Sequence, residues 1–163
     1  MPNSKKIVRA GLIAGLYVVL SLLTFPIASG VIQFRLSEAL TLLPLFFPEA
    51  IPAVFVGCLL SNLLTGCVIL DVILGSTITL CAGVCTYFVG RCFSTMLKKI
   101  AIGGIFPILL NAFLLPLIWL VAYKTGEFVY ILQVFILLIS QSVSVYLFGT
   151  LLCVAVNKLI EKK

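Results

Sequence analysis

The chain has 163 residues, of which 63% are hydrophobic and only 10% are charged, and its formal net charge is +6. Soluble domains carry about a quarter of their residues as charged side chains, so this composition excludes an ordinary soluble protein and predicts an integral membrane protein. The chain also lacks histidine, which removes imidazole as a catalytic base or a metal ligand.

Apolar stretches recur along the chain and predict an all-α bundle of six membrane helices. The predicted spans cover residues 7–25, 36–48, 50–66, 70–92, 101–123 and 128–157. The second and third are shorter than the roughly 20 residues needed to cross the hydrocarbon core. We expect these two to be tilted, buried within the bundle, or broken at Pro44. We expect residues 1–163 to form a single membrane domain.

The basic residues predict the orientation of the chain. Nine of the 11 lysines and arginines precede the first span, lie between the fourth and fifth, or follow the sixth: Lys5, Lys6, Arg9, Arg91, Lys98, Lys99, Lys158, Lys162 and Lys163. Only Arg35 and Lys124 fall on the other side. The positive-inside rule therefore predicts that both termini are cytoplasmic. The net charge is explained by membrane orientation, and we expect no nucleic-acid partner.

The remaining chemistry predicts a protein that is not an enzyme. The six cysteines contain no C-x-x-C pair; we interpret them as small apolar residues, although Cys81 and Cys85, one turn apart, could form a thiol pair. No phosphate-binding loop of the form G-x-x-x-x-G-K-[ST] occurs. Transport against a gradient would therefore need energy from a partner or from an ion gradient. We expect no metal site and no cofactor.

Polar side chains within the spans concentrate in the half that faces the outside. Because polar groups in a bilayer are costly, we interpret them as a pocket for a small, flat ligand that forms hydrogen bonds. The candidate binding residues are Arg35, Glu38, Asn62, Asp71, Asn111, Trp119, Tyr130, Gln133 and Gln141.

Each of these groups also has a structural interpretation. Arg35 and Glu38 could form an ion pair at the interface, and Asp71 could cap the fourth span. Trp119 and Tyr130 could belong to an interfacial aromatic belt. The amide side chains could form bonds between helices. Only the shared position of the candidates in one half of the membrane favours a ligand site.

Small residues recur at helical spacing in the cytoplasmic half of the first span. Ala10 and Ala14 are four residues apart, as are Gly11 and Gly15. Such spacing allows a second helix to approach closely. The stripe therefore predicts either packing within the bundle or a docking face for another membrane protein.

Four segments carry the most specific sequence patterns of the chain. The first is Ile32-Gln33-Phe34-Arg35-Leu36-Ser37-Glu38-Ala39-Leu40-Thr41, and the others are Pro48-Glu49-Ala50-Ile51-Pro52, Gly57-Cys58-Leu59-Leu60-Ser61-Asn62-Leu63 and Leu70-Asp71-Val72-Ile73-Leu74-Gly75-Ser76. These segments resemble the QueT family, the substrate-binding (S) component of energy-coupling factor transporters for queuosine precursors. The resemblance covers nearly the whole chain and is strongest in the first segment.

The resemblance implies a six-helix protein of the bacterial plasma membrane with cytoplasmic termini and an outward-facing cavity. It implies docking on a membrane coupling subunit that carries two cytoplasmic ATPases, with an A-x-x-x-A pattern matched by Ala10 and Ala14. The implied ligand is a deazaguanine, sometimes bearing an aminomethyl cation. Its N–H edge would suit Glu38, Asp71 or the amides, and its ring could stack on Trp119, Tyr123 or Tyr130.

Other functions stay open from the sequence. An S component of this shape could bind another vitamin-like molecule, such as riboflavin, thiamin or biotin. An autonomous carrier or small channel is a second class, although no inverted repeat is evident. A membrane enzyme lacks an evident catalytic pair, and a purely structural protein would not need polar groups biased to one side.

Overall fold

The computed structural model describes residues 2–28, 33–124 and 126–161, and every regular element in those ranges is a helix. The all-α expectation is therefore confirmed for the described residues. Lys162, Lys163 and Ile32 of the family segment lie outside them, as does the side chain of Tyr123. The six α-helices are α1 (Pro2–Ala28), α2 (Ala50–Leu64), α3 (Ile69–Cys92), α4 (Met96–Tyr123), α5 (Glu127–Ser142) and α6 (Gly149–Glu161).

Two further helical stretches complete the fold. A 3-10 helix at Leu36–Leu45 lies between α1 and α2, and a π-helical stretch at Val143–Phe148 joins α5 to α6. The sixth predicted span is thus a continuous helix with a wider turn near its middle. π-Bulges of this kind occur often at functional sites.

Among the described residues, four helices are long and apolar enough to cross a membrane. They are Ser4–Ile27, Ile69–Cys92, Met96–Ala122 and Phe128–Glu161. They correspond to the first, fourth, fifth and sixth predicted spans. The helices of the first, fifth and sixth predicted spans extend by two to five residues beyond the predicted 7–25, 101–123 and 128–157, because helical structure continues past the apolar core into polar ends.

The second and third predicted spans are the 3-10 helix and α2. Ten residues at about 2.0 Å per residue reach roughly 20 Å, and the 15 residues of α2 reach roughly 22 Å. Both lengths are below the ~30 Å of hydrocarbon. Nine of the ten residues of the 3-10 helix are buried. Of the three arrangements expected for this segment, the structure favours burial within the bundle.

The 3-10 helix is central because it contributes to two separate apolar clusters. Leu40 and Leu43 pack with Tyr17 of α1 and Val54 of α2. Its other face packs against α3, α4 and the π-helical stretch in a cluster that includes Leu42, Leu45, Val89, Ile108 and Val145. This contact is close enough to require glycine at position 90, since an added Cβ would lie 2.6 Å from the backbone oxygen of Leu45.

Helix α1 lies at the edge of the bundle. Only 17% of its apolar window is buried, compared with 50% for α3. Ala10 and Ala14 are half-buried and pack against the cluster between α1 and α2. Gly11 and Gly15 face outward, with no atom within 4 Å of an added Cβ. The small-residue stripe therefore divides between an inner pair of alanines and an outer pair of glycines.

Candidate ligand-binding site

Helices α3, α4 and α5 each carry a stripe of buried or half-buried residues that includes candidate binding residues. Each stripe has members four residues apart, which places them on one helix face. Leu115, Trp119 and Leu137 share a buried cluster with Ile78, which packs α4 and α5 against α3. The stripes are Asp71, Gly75 and Thr79 on α3; Asn111, Leu115 and Trp119 on α4; and Gln133, Leu137 and Gln141 on α5.

Glu38 is the centre of a buried polar network. The hydroxyl of Tyr17 on α1 donates to its Oε1 at 2.8 Å, and Nδ2 of Asn111 on α4 donates to its Oε2 at 3.0 Å. All three side chains are 1% exposed. The two donors reach Glu38 from different helices because the 3-10 helix runs between them. The carboxylate is thereby fixed while still holding capacity to accept further hydrogen bonds.

Asn111 has a defined orientation as a consequence. An ionised carboxylate only accepts hydrogen bonds, so the amide must turn its NH2 group toward Glu38. Its Oδ1 then points elsewhere, and this atom is buried and without a partner. The network thus presents an acceptor to the interior beside the Glu38 carboxylate.

Arg35 contributes a positive charge at the start of the 3-10 helix. It is half-buried, and its charge attracts those of Glu38 and Asp71. Within the described ranges no ion pair joins Arg35 to Glu38; the ion pair that forms is Arg9 with Glu49, at 2.7 Å. The guanidinium donors of Arg35 therefore keep their capacity for a ligand.

Asp71 and Asn62 both pack closely against Gly75. An added Cβ at Gly75 would lie 3.3 Å from Asp71 Oδ1 and 3.4 Å from Asn62 Nδ2. The side-chain amide of Asn62 donates a weak hydrogen bond to the sulfur of Cys58, at 3.7 Å. Asp71 is 3% exposed, and the N-cap position of α3 is occupied by Val68 without a side-chain cap. Asp71 therefore does not serve as the N-cap of this helix.

Buried oxygen atoms without a partner are the most informative feature of the site. In the described part of the chain they are Asp71 Oδ1, Asn111 Oδ1, Gln133 Oε1, Gln141 Oε1 and Ser144 Oγ. The first four can only accept when the aspartate is ionised, and all four belong to predicted binding residues. An unsatisfied buried acceptor costs about 1–3 kcal/mol. N–H donors from a ligand, or ordered water, would satisfy these acceptors.

The two predicted aromatic residues have different surroundings. Trp119 is 6% exposed and packs with Leu115 and Leu137, so it lies inside the bundle. The hydroxyl of Tyr130 donates to the backbone oxygen of Phe113 at 3.5 Å on the exposed surface between α5 and α4. The structure thus places Trp119 inside the bundle beside Leu137 of α5, whereas Tyr130 lies at the surface and does not contact Glu38.

Tyr17 is the site residue that the sequence did not indicate. Tyr17 lies within a run of apolar residues in the sequence, and its hydrogen-bond partner Glu38 is 21 positions further along the chain. A tyrosine in the middle of a span, far from the interfacial belt, needs a polar partner for its hydroxyl. The position of Tyr17 in the middle of the first span was therefore the signal in the sequence that could have pointed to a buried polar partner.

A family model described as QueT transporter matches residues 7–158, nearly the whole chain. The chain belongs to the QueT transporter family. The resemblance predicted from the sequence is thereby confirmed, and the family, together with the four long apolar helices, identifies a membrane transport protein. No curated protein and no solved structure matches this QueT-family chain.

Proposed function

We propose that this chain is the substrate-binding subunit of an energy-coupling factor transporter and that it binds a deazaguanine precursor of queuosine. The observation that supports this ligand is the set of four buried oxygens on Asp71, Asn111, Gln133 and Gln141 without donors. A guanine-like edge supplies several N–H groups. An aminomethyl substituent supplies further donors together with a positive charge.

The distribution of charge fits such a ligand. Glu38 and Asp71 are two buried acids, and Arg35 is the basic residue beside them. One carboxylate can accept from the guanine-like edge while the other binds the aminomethyl cation. Arg35 can donate to the ring carbonyl. Trp119, buried beside Leu115, offers a face on which the ring can stack.

Calorimetry on the purified chain in detergent tests the ligand. Aminomethyl-deazaguanine, queuine and guanine are titrated, with riboflavin and thiamin as controls. We expect tight binding of a deazaguanine and much weaker binding of guanine. A vitamin signal without deazaguanine binding would contradict the proposed substrate and favour an S component for another molecule.

Variants of the two acids test the site itself. Glu38→Gln and Asp71→Asn keep the shape and remove the charge, while Glu161→Gln makes the same change at an exposed position on α6. Hydrogen bonds to charged groups contribute about 1.5–3 kcal/mol, so each site variant should lose roughly 10- to 150-fold in affinity. Affinities equal to that of Glu161→Gln in both variants would reject the site.

The partner proposal rests on the exposed face of α1. Gly11 and Gly15 leave open space for a helix of a membrane coupling subunit, which would carry the two cytoplasmic ATPases; both termini would be cytoplasmic. Gly11→Leu and Gly15→Leu should prevent assembly with such a subunit while leaving ligand affinity unchanged. Rapid uptake by proteoliposomes containing this chain alone would instead support an autonomous carrier.

A further inference from the structure

A basic cavity lies at the opposite end of the molecule from Asp71. Its volume is about 700 Å³, and it is formed by the start of α1, the segment before α2 and the end of α3. None of its residues belongs to the ligand-binding site. It is lined by Lys5, Lys6, Arg9, Phe46, Phe47, Pro48, Glu49 and Arg91.

The charge of this cavity is strongly unbalanced. Its four basic residues face a single acid, Glu49, which leaves a net charge of +3. Glu49 is already bound by Arg9 at 2.7 Å. Lys5, Lys6 and Arg91 are exposed and form no ion pair within the described residues. Three cations therefore converge on one space without a protein anion to neutralise them.

Aromatic rings support two of the basic side chains. The guanidinium of Arg9 lies 4.0 Å from the centroid of the Phe47 ring, and that of Arg91 lies 5.1 Å from the Tyr87 ring. Cation–π contacts of this kind restrict the positions of the guanidinium groups. The cavity is consequently a more defined binding site than a set of freely moving surface lysines.

An apolar groove continues from the cavity along α1. Lys5 and Arg9 line both features, and the groove then passes Val8 and Leu12. Val8 is 61% exposed and Leu12 is 69% exposed. Apolar side chains on a membrane helix face acyl chains. The cavity and the groove together match a molecule with an anionic head and an apolar tail.

We propose that this cavity and groove form a binding site for an anionic phospholipid. The phosphate of the headgroup lies among Lys5, Lys6 and Arg91, and one acyl chain follows Val8 and Leu12. Basic pockets between membrane helices bind anionic headgroups through the same chemistry. A soluble phosphate ester would use the cavity but would gain nothing from the groove, so the groove favours the lipid.

Native mass spectrometry of the full chain in detergent tests the proposal. The probes are phosphatidylglycerol, phosphatidylcholine with the same acyl chains, and soluble glycerol phosphate. We expect phosphatidylglycerol to bind far more tightly than either of the other two. Equal binding of the two lipids would overturn the anionic site, and equal binding of glycerol phosphate would overturn the lipid as its occupant.

Variants on two walls of the cavity locate the binding. Lys5→Gln with Lys6→Gln changes the α1 wall, and Arg91→Gln changes the α3 wall. At roughly fivefold per basic side chain, we expect losses of about 25-fold and fivefold in affinity for phosphatidylglycerol. Each variant changes exposed side chains only, and a thermal scan in detergent confirms that the fold is intact.

Matched controls carry the same loss of charge outside the cavity. Lys98→Gln with Lys158→Gln corresponds to the double variant, and Lys98→Gln alone corresponds to Arg91→Gln; both lysines are exposed. We expect wild-type affinity in the controls. Cavity variants that bind phosphatidylglycerol as tightly as their controls would reject the site.

Discussion

Replacement of Gly57 by alanine tests whether packing between α1 and α2 holds the ligand site in place. An added Cβ at this position would lie 2.7 Å from Tyr17 Cβ, 2.9 Å from Tyr17 Cγ and 3.1 Å from the backbone oxygen of Ala14. Ordinary contacts begin near 3.4 Å. Helix α1 must therefore move away from α2, or the Tyr17 ring must rotate.

Gly11→Ala is the matched control because an added Cβ there has no neighbour within 4 Å. Both variants gain about 1 kcal/mol from the higher helix propensity of alanine. That gain cancels when the two are compared. Overpacking costs about 1–3 kcal/mol, so Gly57→Ala should be less stable than Gly11→Ala by this amount.

Two measurements test whether the crowding at Gly57 lowers the stability of the protein and the affinity of the ligand site. Equilibrium unfolding in mixed micelles with an increasing fraction of SDS gives the difference in stability between the two variants. Calorimetry then gives the ligand affinity, which should fall in Gly57→Ala because Tyr17 holds Glu38 at 2.8 Å. Equal stability and equal affinity in the two variants would refute the argument that this contact positions Glu38.

Three further substitutions have distinct expected outcomes. Tyr17→Phe removes one hydrogen bond to Glu38 while retaining the ring, and it should lower the free energy of unfolding by about 1.5–3 kcal/mol in the same SDS titration. Gln141→Leu removes a buried acceptor without a partner, so the ligand-free protein should be as stable as wild type or more stable, while calorimetry shows weaker binding. Glu49→Gln breaks a partly exposed ion pair; its stability should change by less than about 1 kcal/mol, and phosphatidylglycerol should bind more tightly in native mass spectrometry because the cavity loses its one acid.

The sequence predicted the helical segments well because composition alone specifies long membrane helices. The apolar stretch at residues 70–92 corresponds closely to Ile69–Cys92, and the stretch at 101–123 lies within Met96–Tyr123, which begins five residues earlier. It did not predict that Leu36–Leu45 is a 3-10 helix, since periodicity in a short apolar run does not distinguish one helix type from another. The π-helical stretch at Val143–Phe148 could not be predicted either, because all of its residues are also compatible with an α-helix.

The sequence predicted part of the candidate site. Polar residues within apolar spans are few, so Glu38, Asp71, Asn111 and Gln141 were identifiable one at a time. Their partners were not, since the bond between Asn111 and Glu38 joins residues 73 positions apart. Tyr130 shows the limit of this reasoning, because its distance along α5 from Gln133 gives no indication that its hydroxyl bonds to Phe113.

The arrangement of satisfied and unsatisfied groups separates the scaffold from the site. Glu38, buried and costly in a bilayer, receives donors from Tyr17 and Asn111, so it is held in place before any ligand arrives. Asp71 Oδ1 and Gln141 Oε1 receive none from the residues that the structure describes. A protein selected only for stability would replace them with apolar side chains, since each costs about 1–3 kcal/mol when left without a partner. Retaining them is explained if a donor-rich ligand completes the network, and the same unsatisfied groups would discriminate against flat rings that lack those donors.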